Sequence, residues 1–183
     1  MAIPGRCGLA IAALLLANPG HSGSPQAATK SERALGPTTH VVLTAQRLAV
    51  LRQVNQHVNR TITEVSDWEQ YGQEDVWTLP ASGKGDCEDF ALLKRKLLTE
   101  RGWPNATLLV TAVQTAAGEP HAVLVARTNK GDYALDNKTS EIRPLVATGY
   151  RILSQQSQQS PSKWISGSTG ETTDGPVADF PVR

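Results

Sequence analysis

The chain has 183 residues, of which 19% are charged, and a formal net charge of +1. This length fits one domain of ordinary size with a full hydrophobic core. The near-neutral charge gives no electrostatic reason to expect binding to nucleic acid or to an anionic membrane surface.

The first 28 residues have the pattern of an export signal. Arg6 forms a short basic region, and residues 7–17 are almost wholly apolar. That run is too short to span a bilayer, and small residues follow it. We predict a signal peptide at residues 1–28, cleaved near Ala28, with export to the periplasm and a flexible lead-in at residues 29–40. The alternative is an uncleaved anchor or a buried helix.

Two helices are predicted in the first half of the exported chain. Apolar side chains recur at helical spacing over residues 44–59. Residues 67–80 are rich in Trp, Gly and acids, and we expect them to be irregular. The second helix is predicted over residues 86–102, where Gly102 provides a stop signal.

Consecutive short strands follow the helices. They are predicted at residues 107–114, 121–128 and 133–136, and more weakly at 141–145 and 150–154. Helices followed by a run of strands favour an α+β fold with an antiparallel sheet. We place the domain at residues 41–165 and predict that the Gly-, Thr- and Asp-rich tail 166–183 is disordered.

The most informative stretch is Gly85-Asp86-Cys87-Glu88-Asp89, at the start of the second helix. Because Cys7 lies in the predicted signal peptide, Cys87 is the one cysteine of the exported chain. Such a cysteine is a free thiol or an intermolecular link, and a free thiol favours catalysis. The helix N-terminus favours its thiolate form. Its position at the edge of the buried helix face directs the sulfur toward the sheet. The alternative is a small buried apolar residue.

Of the four histidines, His121 at a strand start is the best candidate for a base. Asp136 ends the next strand, where it could accept the second imidazole N–H and fix the tautomer. A two-residue turn at residues 130–131 would place Asp136 opposite Val125, about 13 Å short of His121 along the strand. The hairpin must therefore be shifted or bulged for the two to meet. Asn137 is the reserve partner.

Three acids, Asp86, Glu88 and Asp89, crowd Cys87. Acids in a first helical turn stabilise a helix, but carboxylates beside a thiolate raise its pKa. Lys84 could offset their charge. A hard cation such as Ca²⁺, which takes clustered carboxylate oxygens, is the other candidate.

The chain resembles the bacterial transglutaminase-like cysteine proteinases, the LapG-type periplasmic proteases, over about residues 41–165. The matching motifs are Val58-Asn59-Arg60, Asp75-Val76-Trp77, Gly85-Asp86-Cys87-Glu88-Asp89-Phe90-Ala91, His121-Ala122-Val123-Leu124, Leu135-Asp136-Asn137 and Trp164. The resemblance implies a papain-like or transglutaminase-like α+β fold, in which the nucleophile helix packs on an antiparallel sheet. It also implies a catalytic triad of Cys87, His121 and Asp136.

The same resemblance implies Ca²⁺ dependence, with Asp86 and Glu88 as ligands and Asp89 as a further candidate. Characterised relatives clip the N-terminal retention module of giant surface adhesins, release cells from biofilms, and are held inactive by an inner-membrane receptor that senses cyclic di-GMP. We therefore expect a periplasmic cysteine endopeptidase with a protein substrate of that kind and such a receptor as partner. The alternatives are a transglutaminase or amidase-type acyl-transfer enzyme with the same triad, and a non-catalytic binding module.

Overall fold

A computed structural model describes residues 39–176; the predicted signal peptide, most of the lead-in and residues 177–183 lie outside this range. Helix α1 spans Ala45–Thr61. It begins where predicted, because the side chain of Thr44 accepts a hydrogen bond from the backbone N–H of Arg47 and caps the first turn. Its buried face carries Leu51, Val54, Asn55 and Val58.

The segment between the two predicted helices is more ordered than expected. Strand β1 (Thr63–Glu64) pairs in parallel with β2 (Lys84–Gly85), and α2 spans Asp67–Tyr71 between them. Ser66 caps α2, and Gly72 ends it in the left-handed region at φ 66°. The predicted irregular structure is therefore wrong for residues 67–71, since a helix of five residues leaves no periodic pattern.

Helix α3 spans Cys87–Glu100 and confirms the second predicted helix. Asp86 occupies the N-cap position, but its side chain makes no capping hydrogen bond. Past the C-terminus of the helix, Gly102 takes a φ of 80°, which glycine adopts without strain. Helix α3 packs against α1 on one side and against the sheet on the other.

The sheet has seven antiparallel strands in the order β6-β5-β4-β3-β7-β8-β9. The strands are β3 (Leu108–Gln114), β4 (Pro120–Thr128), β5 (Gly131–Leu135), β6 (Arg143–Pro144), β7 (Arg151–Gln156), β8 (Lys163–Ser166) and β9 (Thr172–Asp174). Single turns of 3₁₀ helix, Asn105–Thr107 and Leu145–Ala147, precede β3 and follow β6. The α+β class with an antiparallel sheet is confirmed.

Strand β9 lies inside the tail that the sequence predicted as disordered. It pairs with β8 through Ile165–Thr172, Trp164–Thr173 and Lys163–Asp174. All three residues of β9 are exposed and polar, so the strand has no hydrophobic alternation by which the sequence could reveal it.

The β4–β5 hairpin determines where Asp136 lies. Thr128 pairs with Gly131 and Leu124 pairs with Leu135, so the turn falls at residues 129–130. This turn is one residue earlier than predicted and moves the partner of every β5 residue by two positions along β4. Continuing the register past Leu135 brings Asp136 beside Val123, two residues from His121. The expected shift of the hairpin is therefore present.

The main core fills the space between the helices and one face of the sheet. Its fully buried members include Leu51, Val58, Leu92, Leu98, Val110 and Leu124. A smaller cluster around Val113, Val123 and Val125 covers the other face. Within residues 39–176, every helix is too short or too polar to cross a lipid bilayer.

Candidate active site

Cys87 is the first residue of α3, and its side chain is buried. The backbone N–H of Ala122 in β4 donates to its Sγ at 3.2 Å. On the other side, Sγ lies 3.3 Å from Oε2 of Glu88. The sulfur therefore faces the sheet, as its position on the helix predicted, and it lies beside the backbone of the residue that follows His121.

His121, in β4, is fully buried. Its Nε2 lies 2.9 Å from Oδ1 of Asp136. Within residues 39–176, Nδ1 of the same ring has no hydrogen-bond partner. One ring nitrogen is thus fixed by a carboxylate, and the residue that follows His121 contacts the Cys87 sulfur. His40 and His57, in contrast, are exposed, and His21 lies outside the described residues.

The carboxylate of Asp136 accepts three hydrogen bonds. Besides His121, the backbone N–H of Lys138 donates to Oδ1 at 2.9 Å, and the hydroxyl of Tyr150 donates to Oδ2 at 2.6 Å. Burial raises the pKa of Asp136, but these donors and the charge of His121 outweigh burial and lower the pKa to about 2. Asp136 is therefore ionised throughout the physiological range and can orient the imidazole.

Tyr150 was not identified from the sequence. Its ring meets that of His121 edge to face, with centroids 5.9 Å apart. Burial and the neighbouring Asp136 carboxylate raise the pKa of the tyrosine, so its hydroxyl stays protonated and donates to that carboxylate. A single tyrosine at the start of a weakly predicted strand offered no signal for this role.

Three buried acids gather beside Cys87: Asp67, Asp86 and Glu88, each with a carboxylate oxygen within 4.8 Å of the others. The sequence named Asp86 and Glu88, but it missed Asp67, which α2 contributes. The structure does not place Asp89 in this group. Its Oδ1 accepts from the backbone N–H of Thr78 at 3.0 Å, and its side chain packs so closely on Gly85 that a Cβ there would lie 2.6 Å from Oδ2.

The negative charges of these three buried carboxylates repel one another and need a positive charge or protons to balance them. Burial, followed by the proximity of Asp86, raises the pKa of Glu88, and burial also raises the pKa of Asp86 and Asp67. Within residues 39–176, both carboxylate oxygens of Asp86 and Oδ1 of Asp67 receive no hydrogen bond. Lys84, which the sequence offered as a counter-charge, is exposed on β2, whereas the three acids are buried. A divalent cation with a preference for oxygen ligands fits this donor set.

Comparison with known proteins identifies the class of this site. The family model for bacterial transglutaminase-like cysteine proteinases matches residues 25–171. The chain belongs to this family. It is a cysteine peptidase with a transglutaminase-like fold, as the sequence motifs indicated. No curated protein matches the chain.

Solved structures of LapG from Legionella pneumophila share the fold. The calcium-bound form has a TM-score of 0.57 and 24% identity over 67% of this chain and 70% of that one. An EGTA-treated form has a TM-score of 0.57 and 25% identity, covering 69% and 70% of the two chains. A third LapG structure has a TM-score of 0.52 and 27% identity, covering 58% and 63%.

The hydrogen bonds of Asp136 predict a specific pH dependence of stability. A carboxyl group with a lowered pKa stabilises the folded protein above its unfolded pKa, and this contribution is lost as the pH falls through its folded pKa. Asp136→Asn should therefore lower the free energy of unfolding by on the order of 2 kcal/mol near neutral pH, and the difference from wild type should shrink between about pH 4 and pH 2. Urea unfolding at several pH values measures this difference. Asn137→Ala is the control, and its difference should stay constant over that range; a constant difference for Asp136→Asn as well would contradict the assignment.

Proposed function

We propose that the protein is a thiol endopeptidase in which Cys87 is the nucleophile, His121 the general base and acid, and Asp136 the residue that orients the imidazole. The observation that carries this proposal is the buried contact set of His121. Its Nε2 meets Asp136 at 2.9 Å, while the adjacent Ala122 N–H meets the Cys87 sulfur at 3.2 Å. The nucleophile and the oriented base thus occupy neighbouring positions of one site, as cysteine catalysis requires.

The reaction proceeds in two steps. The Cys87 sulfur attacks the carbonyl carbon of the scissile peptide bond as its proton passes to Nδ1 of His121. The C–N bond then breaks, the leaving amine takes the proton from His121, and a thioester remains on Cys87. Water attacks this thioester with His121 as the base, releases the new carboxylate and restores the thiol. Asp136 stays ionised and stabilises the imidazolium in both steps.

The start of α3 is suited to stabilise the oxyanion of the tetrahedral intermediate. Backbone N–H groups in a first helical turn have no partner within the helix, and the helix dipole favours negative charge there. The N–H of Cys87 is the donor we assign. Trp77, which lies in another of the matching motifs, is not assigned as a second donor, because its indole N–H donates to Oδ1 of Asp75 at 2.8 Å.

We assign Asp67, Asp86 and Glu88 as the ligands of a Ca²⁺ ion. Their oxygens are close together and buried, and within residues 39–176 the Asp86 carboxylate and Oδ1 of Asp67 receive no hydrogen bond. The Asp86 side chain also makes no capping hydrogen bond, although Asp86 is the N-cap residue of α3. Ca²⁺ takes carboxylate oxygens of this kind. When bound, it supplies positive charge beside Cys87 and offsets acids that otherwise disfavour a thiolate. One of the matching LapG structures is calcium-bound.

Membership of the family and the signal-like residues 1–28 support a biological setting for this activity. We assign the protein to the periplasm and its substrate class to the N-terminal retention module of a large surface adhesin, whose cleavage releases cells from a biofilm. An inner-membrane receptor that senses cyclic di-GMP is the partner expected to hold the enzyme inactive.

Replacement of the nucleophile tests the peptidase directly. Cys87→Ala should reduce cleavage of a panel of quenched fluorescent peptides to the background rate with a melting temperature that is little changed, because it removes only the attacking sulfur. His121→Ala should also reduce cleavage to background, but with a lower melting temperature, because it removes both the proton acceptor and a buried ring bonded to Asp136. His57→Ala, which changes an exposed histidine, is the matched control and should retain full activity. Mass spectrometry of the products should show addition of water. Wild-type rates in Cys87→Ala would contradict the proposal, and products that carry an added amine would indicate acyl transfer instead.

Removal of Ca²⁺ by a chelator tests the assignment of the metal ligands. EGTA should lower peptide cleavage, and Ca²⁺ should restore it and raise the melting temperature, since a ligand of the native state alone stabilises that state. Asp67→Asn should weaken Ca²⁺ binding in isothermal titration, whereas Glu69→Gln, an exposed change two residues away on α2, should not. The absence of binding heat in the wild type, together with full activity in EGTA, would rule out the ion.

A further inference from the structure

Asp136 is held through its backbone carbonyl as well as through its carboxylate. On α1, Nδ2 of Asn59 donates to the backbone carbonyl of Asp136 at 2.8 Å and to that of Thr139 at 2.9 Å. One helical turn earlier, Nδ2 of Asn55 also donates to the carbonyl of Thr139 at 2.9 Å. Two amides of one helix therefore fix both ends of the loop 136–139, which begins with the residue that orients His121.

A buried lysine of α3 interacts electrostatically with the same residue. The side chain of Lys94 has no exposed surface, and within residues 39–176 its Nζ makes no hydrogen bond. Nζ lies 5.7 Å from the centroid of the Phe90 ring, within the range of a cation–π contact. Burial lowers the pKa of Lys94 to about 7, and the charge of Asp136 is the influence that opposes this shift.

Folding alone gives no reason for a lysine at this position. A buried ammonium without hydrogen bonds reduces stability, and methionine would fill the same space without that cost. Lys94 lies seven residues after Cys87, so two turns of α3 place both on the same face of the helix. The helix that presents the sulfur thus also carries a basic group whose charged form the Asp136 carboxylate favours.

We propose that Asn55, Asn59 and Lys94, here called the Asp136 clamp, are positioning residues: the two amides fix the loop that carries Asp136, and the ammonium balances the charge of its carboxylate inside the protein. The clamp rests on the proposed function, because its effect on the reaction passes through Asp136 and His121. Its amides act on backbone position and its lysine acts on charge, so the two parts can be tested separately.

The charge is tested by Lys94→Met, measured on the best-cleaved peptide of the panel. We expect kcat to fall about tenfold or more with KM changed less than about twofold, because a catalytic group displaced by about 1 Å can cost on the order of 100-fold in rate. The melting temperature should equal or exceed that of the wild type. Lys96→Met is the matched control, since it makes the same change at a half-exposed position of the same helix.

The loop is tested by Asn59→Ala, which removes the bond to the Asp136 carbonyl. We expect a loss of kcat of the same size, and a smaller loss for Asn55→Ala, which bonds only Thr139. Gln53→Ala, an exposed change on the same helix, should have no effect.

The outcomes separate the clamp from the proposed function. If Cys87→Ala and His121→Ala are inactive while Lys94→Met and Asn59→Ala keep the wild-type kcat, the clamp is overturned and the function stands. If Lys94→Met and Asn59→Ala lose activity only in proportion to a lower folded fraction, the three residues are structural and the clamp is also overturned. If Cys87→Ala stays active, the proposed function fails first.

Discussion

The buried hydrogen bond between Nε2 of His121 and Oδ1 of Asp136 is the interaction on which the rest of this site depends. It joins β4 to the residue that follows β5, and in the proposed mechanism it leaves Nδ1 to exchange the proton of Cys87. Because both residues are almost wholly buried, the bond persists only if the charge of Asp136 is well compensated. The Tyr150 hydroxyl and the Lys138 amide supply part of that compensation, and the Asp136 clamp supplies the rest in our account.

Negative charge is buried on both sides of the nucleophile, and the two sides are compensated differently. Toward the sheet, the carboxylate of Asp136 is surrounded by donors that keep it ionised. Toward α2, the carboxylates of Asp67, Asp86 and Glu88 face one another, and their pKa values are raised. The first arrangement is complete within the described protein, whereas the second requires a cation or protons. Cys87 contacts Glu88, so a bound cation or added protons would change the charge near its sulfur.

Much of the fold was predictable because it has strong periodic patterns. The spacing of apolar residues gave α1 and α3, and the runs of β-branched residues gave the central strands β3 and β4. The order of Cys87, His121 and Asp136 and their residue types were enough to identify them as candidates. The hairpin register was not predictable, since residues 129, 130 and 131 all suit a turn, and a shift of one residue in the turn moves the pairing by two.

The remaining site residues could not be found by sequence proximity. Asp67 joins the acids through a five-residue helix, and Tyr150 reaches Asp136 from the far end of a loop. Asp89 is the converse case: it is adjacent in sequence, but its carboxylate accepts from the Thr78 N–H and packs on Gly85. The central claim is the orientation of His121, and ¹⁵N NMR of its imidazole tests it most directly. We predict a proton on Nε2 in every protonation state of the ring, with a downfield signal that is lost in Asp136→Asn. An unprotonated Nε2, with the single proton on Nδ1, would contradict it.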